Sequence, residues 1–417
     1  MIKNTELEKF RDDLNKCVTC GICQPVCPSY RLSERELMSP RGRIILLRRL
    51  IDGDISPAEI SPDAFDYCTL CYACQTACPA GVKTDLLFIT ARKTLADANG
   101  TDSNKSRIFS YLRKPKKLDT LVRLGALAQK TLGKKIVNNL SGGYKVPELQ
   151  NKPLLTDLPE EIIPEEGYEL TVGLFLGCIS NYVNPESALA CIEVLKNLGV
   201  RIVIPREQVC CGAPAFNNGD FDTARYLAKQ NLELFSDPGI DFLLSPDATC
   251  GGAFQHEIPG LVSDDVNTAS LANEISRKTI DFSTFILENT QPDFINKQEL
   301  PIEVTLHHSC HTINTSGKHN NVRKLIELLP GVTIVDMEDS GLCCGFGGSF
   351  SLLYPEDSRD WTAKKIEDIK SVGVPVVIVP SPGCIMQFKS EFATQGINHI
   401  KVLHPAELIA TRCGWDY

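Results

Sequence analysis

From about residue 169 onward, short apolar runs recur: VGLFLG, RIVIP and FLLSP, then EVTLHH, VTIVDM and VVIVPSP. Runs of this length, apolar on both faces, read as strands buried in a parallel sheet. Helical periodicity lies between them, at residues 185–198 (PESALACIEVLKNL), with Asn184 placed to cap the start, and at residues 321–329. Strand and helix alternating in this way predict parallel α/β layers, with functional groups at the carboxyl ends of the strands. The N-terminal part is different. Residues 41–51, RGRIILLRRLI, read as an amphipathic helix entered through Ser39-Pro40. Further on, Leu121, Leu124, Leu127 and Leu132 recur at helical intervals, and residues 145–168, with Pro147, Pro153, Pro159 and Pro164, read as an extended linker.

The C-terminal strand–helix pattern occurs twice, and each copy carries cysteines at matching places. In the first, Cys178 follows VGLFLG, Cys210-Cys211-Gly212 comes 32 residues later, and Cys250 comes 39 residues after Cys211. In the second, Cys310, Cys343-Cys344-Gly345 and Cys384 are separated by 33 and 40 residues. Agreement within one residue over two long gaps marks an internal repeat. In both copies the cysteines follow strands, so they can converge on one point. Adjacent cysteines make a strained disulfide and suit a cluster or a redox thiol pair better, while buried core cysteines are the plain alternative. Cys191 and Cys413 have no counterpart in the repeat and read as helix core and as an inert tail residue. His307, His308 and His311 flank Cys310, where a histidine can ligate iron, accept a proton or contact a quinone or haem; a satisfied structural histidine is the simpler reading.

The first hundred residues carry the more specific signal. Cys17-x2-Cys20-x2-Cys23-x3-Cys27-Pro28 and Cys68-x2-Cys71-x2-Cys74-x3-Cys78-Pro79 each have the two-cluster ferredoxin order. Three thiolates two residues apart wrap one corner of a cube, and the fourth turns away at its proline to the other cube. One [4Fe–4S] cluster is therefore assigned to Cys17, Cys20, Cys23 and Cys78, the other to Cys68, Cys71, Cys74 and Cys27. Two closed zinc sites would use the same eight ligands, but the order of spacings favours iron–sulfur. Arg41 and Arg43, at the start of the expected helix, are placed either to offset cluster charge or to sit in solvent.

Composition narrows the function further. Eighteen cysteines at ligand spacings indicate metal or redox chemistry rather than disulfides. The net charge of −9 argues against general nucleic-acid binding. Charge is uneven: residues 101–150 hold 11 Lys and Arg against 3 Asp and Glu. That basic helical connector reads as a solvated helix face, or as a docking face for an acidic partner or an anionic membrane. The start, MIKNTELEKFRDD, lacks the apolar core of a signal peptide, and no segment reaches the roughly 18 apolar residues of a membrane span. A cytoplasmic location is expected, with peripheral attachment to the inner membrane face as its variant.

Taken together, CVTCGICQPVCPSYRLSERELMSPRGRI, CTLCYACQTACPAGVK and the two Cys-Cys-Gly copies ending in PSPGCIMQ make the chain similar to the iron–sulfur subunits of glycolate oxidase over nearly its whole length. The wider group includes lactate-utilisation iron–sulfur proteins, the C subunit of anaerobic glycerol-3-phosphate dehydrogenase and heterodisulfide reductase subunits. The resemblance implies a mixed α and α/β fold. A helical two-cluster ferredoxin domain (1–100) and a basic connector (101–168) would precede two α/β Cys-Cys-Gly repeats (169–300 and 301–417). It also implies a partner subunit that binds FAD and dehydrogenates a 2-hydroxy acid such as glycolate or D-lactate, with electrons passing through this chain to a quinone or other acceptor. One or more further clusters are implied at Cys178, Cys210, Cys211 and Cys250 and at Cys310, Cys343, Cys344 and Cys384. No GxGxxG fingerprint is present, which leaves the flavin to the partner. The repeats end in Cys250-Gly251-Gly252-Ala253 and Cys384-Ile385-Met386-Gln387. The Cys-x2-Cys ending of heterodisulfide reductase subunits is missing from both, which counts against disulfide-cleaving chemistry.

Overall fold

The computed structural model describes residues 5–100, 103–133, 136–138, 145–290 and 301–415. Its N-terminal unit is helical. Helix α1 (Pro40–Asp52) starts where the Ser39 hydroxyl accepts a hydrogen bond from the Gly42 N–H, with Pro40 in the first turn, and it buries Ile44, Leu47 and Leu50 at helical spacing. Helix α2 (Thr84–Asn99) buries Leu87, Phe88, Ala91 and Leu95 against it and the loops around it.

The basic connector continues from Ser103–Leu112 into helix α3 (Pro115–Leu132). Its apolar stripe does not face the core. Ala126 and Gln129 are buried, while the four leucines noted above are exposed. The basic pair Lys134 and Lys135 lies outside the described residues. The proline-rich stretch is extended in part, but it also enters a sheet: β1 (Glu161–Ile162) pairs antiparallel with β3 (Arg201–Val203).

The two repeats form two sheets of matching topology. The first contains β1, β2 (Thr171–Leu174), β3, β4 (Phe242–Ser245) and β5 (Thr279–Asp281), in the order β1-β3-β2-β4-β5, parallel apart from β1. The second contains β6 (Ile302–Leu306), β7 (Val332–Ile334), β8 (Val376–Ile378) and β9 (Lys401–Leu403), all parallel, in the order β7-β6-β8-β9. Removing β1 makes the two orders identical. The central strands β2, β4 and β8 and the end of β6 are buried because helices cover both faces, while the edge strands are more open. Helix α4 (Glu186–Asn197) starts from Pro185, and Asn184 does not cap it; its amide bonds the Ser187 hydroxyl at 2.8 Å instead. Cys191 is fully buried on α4, and Cys413 packs half-buried at the end of the last helix rather than in a loose tail.

The repeats share one core, in which Val172 and Leu174 of the first sheet belong with Val304, Leu306 and Ile378 of the second. The contacts alternate. Helix α4 of the first repeat packs on the last helix of the second, Pro405–Cys413, while Phe282–Asn289, which closes the first repeat, packs on His319–Glu327. Each repeat thus gives the same two helices to the other, the pattern of a two-fold pair folded from one chain.

Candidate metal centres

The eight ferredoxin-run cysteines line two cavities. Cys17, Cys20, Cys23 and Cys78 share one of about 40 Å³ with Val18, Ile22 and Arg41. Cys27, Cys68, Cys71 and Cys74 share another of about 10 Å³ with Arg43 and Phe88. The fourth cysteine of each run therefore leaves its own loop and joins the other three. The loops reach this shape through the same unusual backbone in both runs. The residues just before and after the second cysteine have positive φ: Thr19 (55°) and Gly21 (85°) in one, Leu70 (51°) and Tyr72 (60°) in the other. Left-handed backbone at a β-branched threonine, a leucine and a tyrosine is strained, and such strain gathers at functional sites. Here it curls each loop around its cavity.

The two cavities differ in exposure and charge. Cys20 is exposed, with Val18, Ile22 and Val26 also open to solvent, whereas Cys27 and Cys71 are buried. Arg41 at the first cavity is held by Glu36 at 2.7 Å. Arg43 at the second is fully buried; its Nε donates to the Ala64 carbonyl at 2.5 Å, and both of its Nη atoms lack a hydrogen-bond partner. Arg92, also buried, donates to the carbonyls of Cys68 (2.5 Å) and Asn217 (2.6 Å), which ties the second run to the first repeat. A buried guanidinium with two unused donors beside four thiols fits an anionic cluster. Burial pushes the Cys23 thiol up to about 11 and raises Cys71 and Cys74 as well; it also raises Cys27, against the pull of Arg43. Thiols held this high become ligands only as a metal displaces their protons.

In each repeat the cysteines follow the carboxyl ends of three adjacent strands, where the strand order reverses. Cys178 lies just beyond β2, Cys210 and Cys211 beyond β3, and Cys250 beyond β4. Cys178 contacts Cys210, and Cys211 contacts Cys250. In the second repeat Cys344 contacts both Cys343 and Cys384, with Cys310 alongside. The donor sets are not equal. His307 is buried, neither ring nitrogen has a partner, and its ligand atoms lie within 4.8 Å of those of Cys344 and Cys384. The strand registers place Phe175 at the corresponding position of the first repeat. His308 stacks edge-on against His319, and His311 against Tyr72.

The glycine of each Cys-Cys-Gly has a physical reason. Gly212 has φ 93° and lies against Ala224 of the helix Phe221–Leu234, and Gly345 has φ 90° and lies against the helix Pro355–Ser371. A Cβ at Gly345 would stand 2.3 Å from the Thr362 hydroxyl and 2.9 Å from the Ser358 carbonyl. That helix, Pro355–Ser371, also fixes the two cysteines: the Trp361 indole donates to the Cys343 carbonyl at 2.8 Å and the Thr362 hydroxyl to the Cys344 carbonyl at 2.9 Å. In the first repeat Asn231 does the same through Val209 and Cys210. Gly345→Ala is expected to lower stability by about 2–4 kcal/mol, a strained φ and a clash together. Gly199→Ala, where φ is also positive but the space is open, is expected to cost about 1 kcal/mol. Thermal denaturation of the two variants checks this, and equal melting temperatures would contradict it.

The two halves meet at the cysteines. Cys71 of the second run lies near Cys310 and Cys343, and the Asn314 amide donates to the Cys71 carbonyl at 2.8 Å. These three cysteines line an open cleft of about 420 Å³. Sequence reasoning missed Arg92, Asn231 and Trp361, whose roles arise only from chain segments distant in sequence.

Comparison with known proteins matches three segments of the chain. Residues 13–82 match the 4Fe-4S dicluster domain, and residues 172–255 and 304–389 each match the cysteine-rich domain. The probable glycolate oxidase iron-sulfur subunit of Bacillus subtilis (strain 168) is 29% identical, over 99% of this chain and 97% of its own. Lactate utilization protein A of Bacillus cereus (strain B4264) is 30% identical over 58% of this chain and all of its own, and that of Exiguobacterium sp. (strain ATCC BAA-1283 / AT1b) is 31% identical over 57% and 96%. With two ferredoxin runs in front of two Cys-Cys-Gly repeats, the chain belongs to the family of the glycolate oxidase iron–sulfur subunit and lactate utilization protein A.

Proposed function

We propose that this electron-transfer iron–sulfur chain serves a flavin-dependent 2-hydroxy-acid dehydrogenase, taking electrons from FAD on a partner subunit and passing them towards a quinone or other acceptor. The observation that carries the reading is the line of cysteine sites. An exposed first cavity leads to a buried second one, whose Cys71 adjoins Cys310 and Cys343 of the second repeat. Cys17, Cys20, Cys23 and Cys78 would hold one [4Fe–4S] cluster, and Cys27, Cys68, Cys71 and Cys74 the other. When bound, such clusters accept and release single electrons. Arg43 and Arg92 supply positive charge at the inner site, and the apolar residues around Cys20 leave the outer one open to a partner. The cysteines of the repeats, with His307 in the second, are the ligand set for further iron.

The test is anaerobic co-purification with the flavoprotein partner, iron and sulfide counting, and addition of glycolate, D-lactate or glycerol 3-phosphate. Bleaching of the visible cluster absorption by one of the hydroxy acids is expected. Glycerol 3-phosphate alone acting would move the chain to the glycerol-3-phosphate branch. No bleaching by any of the three, in a complex with full iron, would end the hydroxy-acid assignment.

A further inference from the structure

Helix α3 is built with its apolar side outward. The face turned to the protein carries only two larger apolar side chains, Leu118 and Val122, both half-buried; Ala126 is buried, the Gln129 amide donates to the Pro147 carbonyl at 2.7 Å, and its oxygen accepts from the Leu149 N–H at 3.0 Å. Asp119, the one acid on the helix, is also turned inward, accepting from the Tyr182 hydroxyl at 2.8 Å. The opposite face presents Leu121, Leu124, Leu127 and Leu132, exposed by 42%, 58%, 54% and 51%. A surface helix ordinarily turns its leucines to the core, so a row of four facing water implies a covering surface.

The charges show what covers it. Lys116, Lys117, Arg123 and Lys130 are exposed, and among the described residues none of them is paired with a carboxylate. They sit on a chain whose net charge is −9, within a segment carrying 11 cationic residues against 3 acidic ones. Lysine is depleted from protein interfaces, whereas leucines flanked by long cationic side chains are the pattern of a helix lying in a lipid headgroup layer. No helix among the described residues is long and apolar enough to cross a membrane. We propose that the outward face of α3 docks on an anionic lipid surface, its leucines entering the acyl boundary and its lysines meeting the headgroups. This goes beyond the electron-transfer reading and does not depend on it.

The test is sedimentation of the full-length, iron-loaded chain with vesicles of pure phosphatidylcholine and of equal parts phosphatidylcholine and phosphatidylglycerol. Binding to the anionic vesicles, weakened by salt, is expected. The double variant Leu124→Asp/Leu127→Asp should lose about tenfold or more in vesicle affinity, and Lys117→Glu/Lys130→Glu should lose the preference for anionic lipid. Melting temperature and iron content, read on the same samples, should match the unsubstituted chain, since all four side chains are in solvent. A chain that stays in the supernatant with both vesicles overturns the proposal. So does a leucine variant that binds as well as the unsubstituted chain. A leucine variant that changes only the oligomeric state, in a chain that binds no vesicles, assigns the face to a protein contact instead.

Discussion

Cys20→Ser is expected to remove about four iron atoms per chain and to abolish electron passage through the outer site, while leaving the repeats folded. Cys20 is exposed and lines only the cavity shared with Cys17, Cys23 and Cys78, so the substitution disturbs no core packing. The resonance of the inner cluster should survive, because its cysteines line a separate cavity. Cys191→Ser is the control. That thiol is fully buried on α4, 4.0 Å from His404 Nδ1, and it lines neither ferredoxin cavity. It should retain all its iron and lose about 1–3 kcal/mol of stability through burial of a hydroxyl. Iron analysis, electron paramagnetic resonance and circular dichroism on the two variants decide the matter. Full iron and normal turnover in Cys20→Ser would falsify the ligand assignment at the outer site.

How much of this was legible in the sequence differs from element to element. The matched cysteine intervals and the apolar runs carried the doubled parallel sheet, because strands buried on both faces have an unmistakable composition. The helix entered at Ser39-Pro40 was equally plain, since its cap is local. Orientation was not legible. The leucine periodicity of α3 marked a helix but not which side faces the core; that is set by Gln129 and Asp119, whose partners lie 20 and 63 residues away. Strand β1 escaped notice because two residues among prolines carry no periodicity, and only the free edge of β3 makes them a strand. Asn184 looked like a cap, but Pro185 takes that place and frees the asparagine for Ser187 and Lys389. His307 was visible only as one of three histidines near Cys310. Its distinction, two unpartnered nitrogens beside Cys344 and Cys384, is a property of packing.

Packing also makes Arg43 the residue, outside the cysteine ligands, whose removal should most change the electron path. Arg43→Leu is expected to lower the potential of the inner cluster by on the order of 100 mV. The side chain is fully buried and lines the cavity of Cys27, Cys68, Cys71 and Cys74, with both Nη atoms free of protein partners. A cluster held by these four cysteines would gain a negative charge on reduction, so the buried Arg43 cation would favour its reduced form. At an effective dielectric constant of about 20, a unit charge within roughly 5–10 Å contributes about 2–3 kcal/mol, which corresponds to on the order of 100 mV for one electron. Leucine keeps the bulk against Phe88 but leaves the Ala64 carbonyl without its donor, at a further cost of about 1–3 kcal/mol in stability. Arg43→Lys retains the charge and should shift the potential much less, which separates electrostatics from packing. The outer cluster is the internal reference, since its own arginine, Arg41, is already neutralised by Glu36. A redox titration followed by electron paramagnetic resonance reads both centres in one sample. An inner potential that does not move in Arg43→Leu, with iron complete, would mean that the two free donors face something other than the cluster.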